Sequence, residues 1–142
     1  MKQDNLTPGK KAQHTAKWAR TMTKQLVTNS RRIGAKWNLV DFGGKTGAEA
    51  RGIIDLIVIR KDHRKDLYGL KRGDLFEIVL IQTKGGVAAR PTSEDISRLS
   101  KVAKYHRAKA VVLAEWQKEQ KLELFRLYRN KWIPAAPREI FG

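Results

Sequence analysis

Two apolar runs in this chain carry residues that such runs ordinarily exclude. Asp55 interrupts GIIDLIVIR between Ile54 and Leu56, and Gln82, Thr83 and Lys84 close the second run, DLFEIVLIQTKGG. A carboxylate buried without a partner costs several kcal/mol or takes up a proton. Asp55 therefore calls for a cation, a donor network or a strand end near water. Lys84 is one candidate cation, and a divalent metal ion is another. Alternate side chains of an extended strand share a face, so Gln82 and Lys84 project together with Ile78 and Leu80. Glu77 falls on the opposite face and cannot readily replace Gln82.

The elements that must position these residues follow from pattern. Both runs are rich in Ile, Val, Leu and Phe and too short for a helix with caps. The charged segment between them holds Gly69 and Gly73, so the pair reads as two buried strands joined by a long hairpin. Residues 36–42 (KWNLVDF) alternate loosely and predict an earlier strand. The glycine-rich stretch that follows contains Gly44-Lys45-Thr46, but Leu39 stands where a phosphate-binding loop needs its first glycine, so a wide hairpin turn is expected. That turn carries Lys45, Arg51 and Glu49, a carboxylate six residues before Asp55.

Upstream, residues 1–11 read as a flexible basic arm, and Thr7-Pro8 as a helix start. The helix should run to about Asn29, with Ala12, Ala16, Ala19, Met22 and Leu26 as its inner stripe. Lys17, Arg20 and Lys24 lie off that stripe, on a helix without Asp or Glu. A solvated basic face and a phosphate-contacting face both remain open. Trp18, also off the stripe, is either edge packing or a base-stacking platform.

Downstream, Thr92 or Ser93 can cap a second helix, with Glu94 and Asp95 favouring its N-terminus. Ile96, Leu99, Val102 and Ala103 form its inner stripe, and His106 is expected as a packed core histidine. Lys101, Lys104 and Arg107 make a basic edge that the helix dipole explains. Residues 110–114 (AVVLA) predict a strand, parallel to its predecessor because a helix joins them. Residues 122–128 (LELFRLY) predict a last strand, and 132–142, with two prolines, an irregular tail.

Composition bounds the partners. The 142 residues suit one domain, and the chain has no cysteine for a disulfide, a thiolate zinc site or a thiol nucleophile. No apolar run reaches membrane-spanning length and no apolar signal region opens the chain, so the cytoplasm is the expected compartment. Thirty Lys and Arg against 14 Asp and Glu give a net charge of +16. A polyanionic partner is expected, nucleic acid rather than a membrane, because no segment pairs a basic face with a strongly apolar one.

The order helix, three strands, helix, two strands, with Asp55 on the second strand and Lys84 ending the third, resembles the PD-(D/E)XK nuclease superfamily over residues 10–128. The run QTKGG before a capped helix is similar to the VRR-NUC and archaeal Holliday-junction-resolvase branches. The resemblance implies an α/β fold: a restriction-endonuclease-like αβββαβ core at 12–142, its mixed sheet flanked by helices. It also implies a Mg²⁺- or Mn²⁺-dependent DNA endonuclease, with branched or otherwise structured DNA as a candidate substrate. Asp55 would be the anionic metal ligand, Gln82 and the Thr83 carbonyl further ligands, and Lys84 the ammonium that orients the attacking water. The chain departs from the family where Gln82 replaces the usual acidic residue. Glu49 is the candidate for the missing charge, with Asp41 behind it and His14 or Gln25 as neutral substitutes. Lys17, Arg20, Lys24, Lys45 and Arg51 would contact DNA, and cutting both strands would call for a homodimer. Two other readings stay open: a DNA-binding module on the same fold that does not cut, and an RNA-binding basic protein.

Overall fold

A computed structural model describes residues 8–30, 34–42, 52–64, 69–85, 89–117 and 121–142. The apolar runs form a mixed six-stranded sheet in the order β1-β2-β3-β4-β5-β6. The chain runs α1 (Pro8–Ser30), β1 (Asn38–Asp41), β2 (Leu56–Lys61), β3 (Phe76–Gly85), α2 (Ser93–Tyr105), β4 (Ala110–Trp116), β5 (Leu122–Tyr128), β6 (Lys131–Pro134) and α3 (Pro137–Phe141). Every neighbouring pair is antiparallel except β3 and β4, which are parallel and joined through α2. The α/β class and the αβββαβ order are those expected from the sequence.

Parallel strands need both faces covered, and they read as unbroken apolar runs rather than alternating ones. Val79-Leu80-Ile81 and Val111-Val112-Leu113-Ala114 are accordingly buried throughout. Alternation sorts them between two cores. Val79, Ile81, Leu56, Val58, Val112 and Ala114 face Val27 of α1, Trp37, Ile140 and Phe141. Val111 faces Leu99 of α2 and Ile53, with Val102, Ala103 and Leu127 at the margin. Thr92 caps α2 reciprocally: its hydroxyl accepts from the Asp95 amide at 3.2 Å, and its own amide donates to the Asp95 carboxylate at 3.0 Å. Among the described residues no helix is long and apolar enough to cross a membrane.

Four expectations need correction. The buried residues of α1 that are described are Ala19, Thr23 and Val27, with Met22 and Leu26 only partly buried. Thr23 is admitted because its hydroxyl donates to the Ala19 carbonyl at 2.6 Å, so a polar residue marks the centre of the buried face. His106 is exposed and ends α2 instead of packing in the core. Residues 8–11 are helical rather than part of an arm. The C-terminal tail is ordered, because its prolines sit where proline is tolerated. Pro134 ends an edge strand and Pro137 starts α3.

That tail completes the first core. Phe141 is fully buried and meets the Trp37 ring edge-on at 5.9 Å between centroids. The Trp37 indole N–H donates to the Phe141 carbonyl at 2.9 Å. Beside them Arg60 and Glu77 form a buried ion pair at 2.7 Å, and the Arg60 guanidinium lies over Trp37. Phe141→Ala should therefore lower the unfolding free energy by about 3–5 kcal/mol, read from the urea midpoint. A loss below about 1 kcal/mol would mean that the tail only rests on the core.

Candidate active site

β2 begins at Leu56, so Asp55 sits at the mouth of the strand rather than inside it. The Leu56–Ile81 register would place Gln82 opposite Asp55, yet the Asp55 amide donates to the Ile81 carbonyl at 3.0 Å. The pairing thus slips by one residue, as at a β-bulge, which re-aims the side chain. The Asp55 carbonyl in turn accepts from the Phe42 amide at 3.0 Å, fixing the end of β1 to the same point.

The bulge delivers the Asp55 carboxylate to Thr83. Its Oδ2 accepts from the Thr83 amide at 2.7 Å and from the Thr83 hydroxyl at 3.2 Å. Of the three environments that Asp55 called for, the structure supplies a donor network at a strand end. Burial still pushes the Asp55 carboxyl above its ordinary range, against the two Thr83 bonds and the charge of Arg20, while Asp41 pushes it higher. The charge that answers Asp55 therefore includes Arg20 of α1. Asp41 is itself paired with Lys24 and lies 4.0 Å from Arg20. Two of the expected DNA-contacting cations thus serve the carboxylates at this end of the sheet, while Lys17 is exposed.

Gln82 is the most informative residue here. Its Nε2 donates to the Ile53 carbonyl at 3.2 Å, which fixes the orientation of the amide. Its Oε1 is then left buried with no hydrogen-bond partner, a distinction shared among the described residues only by Trp132 Nε1. An unsatisfied buried acceptor costs about 1–3 kcal/mol, so this oxygen is set for a donor or a cation that the described residues do not supply.

Lys84 lies directly across from Glu115 in the parallel register, with Nζ 3.7 Å from its Oε2. Glu115 also accepts from Arg90 Nε at 3.0 Å and from the Gln117 side-chain amide. Burial alone would raise the Glu115 carboxyl, but the Arg90 and Gln117 hydrogen bonds and the nearby Lys84 and Arg90 charges together hold it below its ordinary range. By alternation Gln82, Lys84 and Glu115 project toward the α2 face, whereas Thr83 shares the face of Ile81. Trp18 stacks on Trp116 at 6.2 Å between centroids, clamping α1 to the end of β4, so its packing role is realised.

Sequence reasoning missed Glu115, Arg90 and Gln117. A signal for Glu115 was present: AVVLA continues as EW, and two more residues of strand put a carboxylate on the Leu113 face, level with Lys84. Gln25 is exposed on α1, away from Ala19, Thr23 and Val27. Glu49, Lys45 and Arg51, and the His14 side chain, lie outside the described residues. No cluster of three or more His, Cys, Asp or Glu that could hold a metal occurs among the described residues. The oxygen donors of Asp55 and Gln82 suit a hard divalent cation in kind. Thr83, however, holds the Asp55 carboxylate on the face of Ile81 while Gln82 and Lys84 project toward the α2 face, so the expected convergence of Asp55 with Gln82 and Lys84 is not met. The chain matches no family model and no curated protein.

The sign of the Asp55 shift sets a pH dependence. A carboxyl raised on folding contributes stability that is complete below its ordinary value of 3.8 and is lost as pH rises through the folded value. Asp55→Asn, which keeps an acceptor for Thr83, should be more stable than the parent at pH 7 without divalent ions. The gap should close toward pH 4. Denaturation curves at both pH values check this, and a gap independent of pH would contradict it.

Proposed function

We propose that this chain is a divalent-metal-dependent DNA endonuclease of the PD-(D/E)XK type. The observation that carries the proposal is the buried Gln82 Oε1, without a partner among the described residues, at the end of the sheet where Asp55 precedes β2, in a chain of net charge +16. Asp55 would be the anionic ligand of the ion, with Gln82 Oε1 joining it once the Asp55 carboxylate leaves Thr83 for the α2 face that Gln82 and Lys84 share. A bound Mg²⁺ or Mn²⁺ would supply Lewis acidity and a water of lowered pKa. Thr83 holds the Asp55 carboxylate through two hydrogen bonds on the face opposite Gln82 and Lys84, and the bound ion would compete with those bonds. Glu115 holds the Lys84 ammonium at the end of β3, where its charge can orient water and answer the charge that grows on a phosphoryl oxygen. Arg90 adds a second cation at the same carboxylate, so the group retains net positive charge toward an incoming phosphate. Two copies acting on opposite strands would produce a double-strand break.

A DNA-binding module that does not cut is the second reading. It is favoured by the Lys84–Glu115 ion pair, which engages the ammonium that catalysis would use.

Nicking of supercoiled plasmid and of four-way-junction DNA, with Mg²⁺, Mn²⁺ or chelator, separates the two. The endonuclease reading expects metal-dependent nicking that Asp55→Ala abolishes and Lys84→Ala lowers by about 100-fold or more. Gln82→Glu adds a charge at the ion and should move half-maximal cleavage to lower Mg²⁺ concentration. Retention of duplex with no metal-dependent nicking by the parent would select the second reading. Undiminished nicking by Asp55→Ala would remove Asp55 from the site.

A further inference from the structure

A second feature of the fold lies along α2, on the side that looks toward the β5–β6 turn. Ser93, Ser97, Ser100, Lys101 and Lys104 are spaced three and four apart and make one stripe of hydroxyls and ammonium groups. Opposite them stands the turn between β5 and β6. A cavity of about 330 Å³ separates this stripe from Asn130. A second cavity of about 350 Å³ adjoins it, lined by Lys109, Arg126 and Arg129 and sharing Ser100 and Asn130 with the first. The two form one groove, and among the described residues no carboxylate lines it.

The helix dipole explains Lys104, which sits in the last turn, but not Lys101 or the basic residues across the groove. The turn is unusual in its own right. Tyr128 pairs with Lys131, so only Arg129 and Asn130 connect the strands, and both have left-handed backbones, with φ of 48° and 63°. Such two-residue turns favour Asn or Gly at both positions. Arg129 is thus a locally disfavoured residue for the turn, and it faces the groove.

We infer that this groove is a binding track for the phosphate backbone of a nucleic acid, separate from the Asp55–Gln82 site and leading to it. The inference rests on the nucleic-acid reading proposed above. Lys, Arg, Ser and Asn side chains are the groups that contact backbone phosphates without reading sequence. The helical stripe from Ser93 to Lys104 spans about 16 Å, long enough to follow more than one successive backbone phosphate. Its Ser93 end lies three residues from Arg90, which holds Glu115. At the other end Val111 lines the groove, four residues along β4 from Glu115 and on the same face, or about 13 Å away. A backbone lying in the groove would therefore emerge at the Lys84–Glu115 pair.

The test is binding of a fluorescent DNA duplex by the full chain between 50 and 200 mM salt, about the range over which phosphate contacts are read. The groove variant is Lys101→Gln, Lys104→Gln and Arg129→Asn, the last chosen because asparagine suits the left-handed backbone. The control removes three exposed cations elsewhere, Lys36→Gln, Lys61→Gln and Lys71→Gln. Each lost phosphate contact should reduce the slope of log affinity on log salt by about 0.9, so the groove variant should lose about 2 to 3 and the control under about 1. Equal slopes for the two variants, with the parent binding normally, would overturn the groove and leave the nucleic-acid reading intact. No duplex or RNA binding by the parent would overturn both. Groove-dependent binding to phosphatidylglycerol vesicles without duplex binding would overturn the assignment of nucleic acid as the occupant.

Discussion

The parallel pairing of β3 with β4 is the constraint on which the rest depends. Two adjacent parallel strands require a crossover, which α2 supplies, and cover on both faces, which α1 with α3 and α2 provide. The register of that pairing sets Lys84 level with Glu115 and Gln82 level with Leu113. Displacement by one residue would send Lys84 and Gln82 to the α1 face and turn Ile81 out of its core. The apolar length of the two strands thus holds the register, and the register fixes the charged pair at their ends.

The candidate site exists because the ladder fails locally. Regular pairing would put Asp55 opposite Gln82 with its side chain on the same face as Ile57. The slip at Ile81 redirects the carboxylate to Thr83, and the Gln82 amide turns to the Ile53 carbonyl. Each adjustment satisfies one group and leaves another open: the Asp55 carboxyl is disfavoured by burial, and Gln82 Oε1 has no partner among the described residues. A cation shared by these two oxygens would relieve both, and it requires the Asp55 carboxylate to leave Thr83 for the α2 face on which Gln82 lies.

Legibility in the sequence followed the range of the forces involved. Element order and type were readable because periodicity and caps are local, as the Thr92–Asp95 box and the run at 122–128 demonstrate. The ordered tail was not, because Phe141 is held by Trp37, 104 residues away in the chain, and the prolines looked like breakers. His106 was misplaced for a similar reason: its position on the apolar stripe says nothing of where the helix stops. Asp55, Gln82, Thr83 and Lys84 were visible as polar residues in apolar runs. Their partners were less so. Arg20 and Glu115 reach the site only through packing of α1 and through the β3–β4 register, and a bulge leaves no mark in hydrophobic pattern.

The central claim is that the Asp55 carboxylate and Gln82 Oε1 are ligands to one divalent ion. Anomalous diffraction from crystals of the protein grown with Mn²⁺ tests it directly. The account predicts a single strong peak bonded to both oxygens at about 2.1 Å, with the Asp55 carboxylate turned from Thr83 to the Gln82 face and the Gln82 amide still donating to Ile53. A Gln82 Oε1 satisfied by an ordered water, with no Mn²⁺ at Asp55, would contradict it.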